Sequence, residues 1–155
     1  MSPRVLLVAV ALALLGIAVV KPHGSPSRGP YHADPARTPG VLNPDVTQQN
    51  MNSTICVHGW TKTIRPPTSY TNELKQKQMR EYGVDGSMSD YQEDHLISLE
   101  LGGHPSDPRN LWPQPYPRAS DVDTIENELN DKVCSGELSL DDAQRKESLI
   151  KHTDG

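Results

Sequence analysis

The chain has 155 residues, a formal net charge of −5, 34% apolar side chains and 5% aromatic ones, with no Phe. That length holds one domain, and the absence of a heptad or Gly-X-Y period excludes a coiled coil and a collagen. The acidic balance excludes passive binding of nucleic acid through bulk charge, because affinity for phosphates comes from Lys and Arg.

The charge is unevenly placed. Residues 36–82 carry six basic and three acidic side chains, whereas residues 83–155 carry six basic and sixteen acidic ones. Contact with a polyanion would therefore need a local basic face or a bound cation. Fourteen prolines and eleven glycines put much of the backbone in loops.

At the N-terminus, Arg4 precedes sixteen uncharged, mostly apolar residues, Val5 to Val20, and then Lys21. A basic start and a short apolar run read as a secretory signal over residues 1–20. The run is short for a bilayer span, which needs about 20 residues, but an uncleaved anchor is the alternative. Residues 21–38 are Pro, Gly, Ser and His with little to bury, and read as a linker. The folded domain is expected over residues 39–150, with 151–155 as a tail. Export places Cys56 and Cys134 in an oxidising compartment as an even pair, which predicts a disulfide closing most of the domain; two buried thiols are the alternative.

Within the domain, Ile55, Val57, Thr61, Thr63 and Ile64 predict an extended segment over residues 55–64, halted by Pro66-Pro67. Ser69 or Thr71 can cap a helix over 72–82 that stops at Gly83; its Lys75, Lys77 and Arg80 read as a solvated face. Residues 91–101 alternate in the manner of a strand. Gly102-Gly103 breaks it, and a brief strand at Asn110-Leu111-Trp112 completes a hairpin with a long loop. Ser120 can cap a helix whose Ile125, Leu129 and Val133 form an apolar stripe and whose stop is Gly136. Ser139 opens a last helix to Ile150, with Asp142 at the capping-box position. A hairpin with helices on either side makes an α+β domain.

The stretch that carries chemistry is Glu93-Asp94-His95-Leu96-Ile97, then Gly102-Gly103, then Arg109-Asn110-Leu111-Trp112. His95 is the side chain that can take a proton near neutral pH. Asn110, across the hairpin, could accept its other ring N–H and fix the tautomer. Glu126 and Asn130 are i, i+4 neighbours and can share one cation. Such oxygen ligands suit Mg²⁺, Mn²⁺ or Ca²⁺ better than Zn²⁺.

The ordered set Asp-His, Gly-Gly, Asn-Leu and helix resembles the HNH endonucleases of the ββα-metal fold. Residues 56–136 are similar to exported bacterial HNH-nuclease-like proteins. The resemblance implies a metal-dependent endonuclease in which Asp94 is a metal ligand, His95 the general base and Asn110 its orienting residue. The family's helix ligand is a His; here Asn130 stands nearest, with Glu126 and Asn127 beside it. The cation implied is Mg²⁺ before Mn²⁺ or Ca²⁺, and the substrate is DNA or RNA. Arg65, Lys62 and Arg109 would contact phosphate. The protein is expected to act as a secreted or periplasmic monomer, meeting a membrane only if its N-terminal segment stays uncut. The rival from another class is a non-catalytic secreted module that keeps the fold and a cation site.

Overall fold

The computed structural model describes residues 32–155; the proposed signal or anchor and most of the proposed linker lie outside the described residues. The architecture is α+β. A two-stranded antiparallel sheet pairs β1 (Tyr91–His95) with β2 (Leu111–Pro115), in a register that sets Asp94 opposite Trp112 and His95 opposite Leu111. Four helices surround it: α1 (Trp60–Ile64), α2 (Thr68–Tyr82), α3 (Arg118–Cys134) and α4 (Leu140–Thr153). In chain order the sheet and α3 make a ββα unit.

The strand expected over residues 55–64 is not formed. Gly59 takes a left-handed conformation at φ 79°, and the β-branched run that follows coils into α1. Thr63 returns its hydroxyl to the Trp60 carbonyl at 2.6 Å, an option open to a β-branched alcohol in a helix. Pro66 then pushes Arg65 into extended backbone and ends the turn.

The strand expected over 91–101 stops at His95. Residues 94 to 99 are all buried, so the alternation reports burial on every side rather than two faces of a sheet. A 3-10 turn, Leu99–Leu101, carries the chain to Gly102, whose φ of 78° favours glycine. At Gly103 any Cβ would overlap the Ile97 carbonyl oxygen. These two glycines fold the loop back on itself.

The helices end as the sequence predicts more faithfully than they begin. Gly83 closes α2 at φ 64°, and Gly136 follows α3 at φ 80°. Ser139 caps α4 by accepting from the Asp142 amide. By contrast α2 starts at Thr68 and α3 at Arg118, with Pro67 and Pro117 in the capping positions and no side-chain cap.

Leu129 and Val133 of α3 pack with Leu140 and Ala143 of α4, and with Ile97 and Leu101 of the hairpin loop, in the main core. Ile125 is half-buried against the same cluster. The Cys56–Cys134 disulfide is formed, with Cα atoms 5.6 Å apart, and ties the segment before α1 to the last turn of α3. Trp112 is fully buried beside Leu96 and Ala33.

Both domain boundaries differ from the sequence reading. Ala33 and Thr38 are fully buried; the Ala33 amide donates to the Lys151 carbonyl at 2.8 Å, and Thr38 meets the Tyr82 hydroxyl at 2.7 Å. Folded chain therefore starts inside the stretch read as linker. At the other end, Lys151 is completely buried in the last turn of α4 rather than part of a tail. Composition alone did not reveal that these short polar segments close on each other.

Candidate active site

A cleft of about 280 Å³ opens where the end of β1 faces α3. Asp94, His95, Asp123, Glu126, Asn127 and Arg65 all border it. Asp94 and His95 are adjacent in sequence, and extended backbone points adjacent side chains to opposite faces; both nonetheless reach this cleft, His95 from the last position of β1.

His95 is nearly buried, and its Nε2 lies 2.9 Å from the Pro105 carbonyl oxygen. A carbonyl can only accept, so Nε2 carries the proton and Nδ1 keeps the basic lone pair. Burial pulls the ring's pKa below its usual value; the carbonyl bond and Asp94 oppose this without reversing it.

Asn110 does not touch the imidazole. Its Oδ1 accepts from the Ile97 amide at 3.0 Å, and its Nδ2 donates to the Ile97 and His104 carbonyls, each at 3.0 Å. The side chain is spent on locking the hairpin loop. It acts on His95 at one remove, by anchoring His104 beside the Pro105 carbonyl that holds the ring.

Asp94, Asp123 and Glu126 each offer an oxygen, and these oxygens lie within 4.8 Å of one another. Two come from one helical turn: Asp123 and Glu126 are i, i+3 on α3 and share a face. Asn130 does not join them. Its Nδ2 donates to the Glu100 carbonyl at 2.7 Å and it borders the adjoining groove, whereas Asn127 borders the cleft in its place. Burial, with Asp94 nearby, raises the Asp123 pKa.

Lys151, fully buried and not itself bordering the cleft, joins the cluster. Its Nζ lies 2.7 Å from Asp94 Oδ2, 2.5 Å from Glu126 Oε1, 3.1 Å from Glu147 Oε1 and 2.5 Å from the His95 carbonyl oxygen. Glu147 also accepts the Ser98 amide at 2.9 and 3.0 Å. Burial disfavours the ammonium, but Asp94, Glu126 and Glu147 outweigh it and hold Lys151 well above its ordinary pKa. Three carboxylates share that one cation, and burial pushes Glu126 well above the usual carboxylate range.

Asp94, Asp123 and Glu126 offer oxygen donors only, a set that fits a hard divalent cation such as Mg²⁺, Mn²⁺ or Ca²⁺. Burial favours the protonated form of Glu126, so a cation bound there would displace that proton.

The basic residues divide. Arg65 borders the cleft, and Lys62 borders a groove that continues from it past Glu100 and Asn127. Arg109 lies apart from both, paired with Asp107 at 2.7 Å on the surface.

Sequence reasoning missed Asp123, Glu147 and Lys151. Asp123 lies i, i+3 from Glu126, a spacing that is visible in the sequence and that could have found it. The Glu147–Lys151 pair has i, i+4 spacing, but nothing local signals that it is buried. No family model, curated protein or solved structure matches this chain.

Proposed function

We propose that this protein is an exported, metal-dependent endonuclease that hydrolyses phosphodiester bonds in DNA or RNA, with an HNH-type ββα-metal core. The observation that carries the reading is the meeting of Asp94, Asp123 and Glu126 with a tautomer-fixed His95 in one cleft. Asp94, Asp123 and Glu126 would hold the cation, with Asn127 at the rim. When bound, the cation neutralises charge on the scissile phosphate and stabilises the leaving oxygen. His95 Nδ1 takes a proton from the attacking water, and its low pKa keeps that nitrogen unprotonated at neutral pH. Arg65 supplies positive charge to a phosphate entering the mouth, and Lys62 extends that charge along the adjoining groove. A disulfide suits an oxidising, extracytoplasmic compartment.

The second reading is a non-catalytic exported module that keeps the charge cluster for stability or partner binding. It is favoured by Lys151, which already occupies one oxygen each of Asp94 and Glu126.

Incubating the purified protein with plasmid DNA and with RNA separates the two. The nuclease cleaves in Mg²⁺ or Mn²⁺ and stops in EDTA, and His95→Ala slows it by about 10²–10⁴. Cleavage that is indifferent to His95→Ala overturns the mechanism, and intact nucleic acid under every condition leaves the binding module as the better reading.

A further inference from the structure

Lys151 is the one fully buried ammonium among the described residues, and its position needs a reason. It does not border the cleft, so it meets the carboxylate cluster from the protein interior. Its four oxygen partners, from Asp94, Glu126, Glu147 and the His95 backbone, stand at 2.5 to 3.1 Å. Oxygens surrounding Ca²⁺ stand at about 2.3–2.6 Å, so the cage around Nζ is only slightly wider than a metal's.

We infer that Lys151 is a built-in cation of the site: it fills the inner half of an oxygen-lined cage that would otherwise take a second metal ion, and restricts the outer half to one divalent cation. The inference rests on the metal-dependent reading above and deepens it. Three consequences follow from the geometry. Asp94 Oδ2 and Glu126 Oε1 are held by the ammonium, so each carboxylate is fixed in orientation. The other Asp94 oxygen, Oδ1, accepts from Gln92 Nε2 at 3.3 Å; that amide also donates to Asp123 Oδ1 at 3.3 Å, and a cation would displace it. Contact with the His95 carbonyl ties the same cation to the backbone of the proposed general base. Glu147 is buried against Lys151 at 3.1 Å; it offsets part of the ammonium's charge and so preserves the negative field felt by a cation at Asp94, Asp123 and Glu126. Lys151 and Glu147 are in this sense positioning residues: neither borders the cleft.

Calorimetric titration of the purified full chain with Mn²⁺ alone, without nucleic acid, tests this. The wild type is expected to bind one Mn²⁺. Lys151→Ala opens the inner cage and is expected to bind two, with a thermal unfolding midpoint that rises with Mn²⁺ concentration. Glu147→Gln keeps the ammonium and an oxygen for the Ser98 amide; it is expected to retain one Mn²⁺ bound about tenfold more weakly. Two Mn²⁺ on the wild type overturn the inference, as does one Mn²⁺ of unchanged affinity on Lys151→Ala; both leave the nuclease reading standing. No Mn²⁺ on the wild type but one on Lys151→Ala overturns the inference together with the metal-dependent reading on which it rests, and leaves Lys151 as the ion that closes the site to metal. No binding by either protein overturns both. If Lys151→Ala does not fold at any Mn²⁺ concentration, Glu147→Gln decides alone, and wild-type affinity there overturns the inference.

Discussion

Glu93 sits in β1 next to Asp94, yet it takes no part in the cation cluster. Among the described residues neither of its carboxyl oxygens finds a hydrogen-bond partner, and burial pushes its pKa up to about 8, against the opposing pull of Lys75. The folded protein therefore keeps a proton on Glu93 that the unfolded chain releases near the usual 4.5. The stability associated with that proton is present at acid pH and is lost as pH rises toward 8. Urea unfolding at a series of pH values should show the wild type weakening over that window, and Glu93→Gln should remove about 2–4 kcal/mol of the decline. An equal slope in both proteins would mean that water or a rearranged Lys75 already satisfies the carboxylate. Asn110 gives the opposite kind of test. Truncating it to Ala strands the Ile97 amide and the Ile97 and His104 carbonyls, at about 1–3 kcal/mol for a buried group left unpaired. We expect Asn110→Ala to lose about 2–4 kcal/mol in urea unfolding, because its work is structural. Had it simply fixed the His95 tautomer, stability would hardly change. Residue types were legible in the sequence, and Asp94, His95 and Glu126 do border one cleft. Which partner each atom takes was not, because those partners are backbone carbonyls such as Pro105, or residues 25 to 57 positions away such as Lys151.

At the scale of elements, the disulfide sets the distance between two walls. One wall runs from Cys56 through α1 to Arg65, and the other is α3, which ends at Cys134. The bridge spans 78 positions. A loop of that length is worth roughly 4–5 kcal/mol in the chain-entropy account. Reduction, or the double change Cys56→Ser with Cys134→Ser, should lower the urea midpoint by a corresponding amount; an unchanged midpoint would show that the core alone holds α1 against α3. The bridge was legible because an even pair of cysteines behind a signal-like N-terminal run predicts it. The helix over 118–134 was legible too, since its apolar stripe repeats at the helical period and faces the main core. The strand over 55–64 was misread because β-branched residues favour strands only when a partner strand exists, and none lies beside this segment among the described residues. The strand over 91–101 was overextended for a related reason: uniform burial and true alternation look alike in a short apolar run.

For the molecule as a whole, the acidic half and the basic half of the chain are brought together at the cleft. Asp94, Asp123 and Glu126 come from the acidic half, and Arg65 and Lys62 from the basic one. No helix among the described residues is long and apolar enough to cross a membrane. The site is also unusual in how late along the chain it is completed. Every group that faces the cleft has been synthesised by residue 127, but the ammonium that holds two of them arrives with residue 151. A chain growing from a ribosome, or threading through a translocation pore, would carry its acid–base groups for more than twenty residues without the charge that brings them together. In that order of events, the last turn of α4 acts in time as well as in space: the cluster cannot assemble before the chain has grown past residue 150.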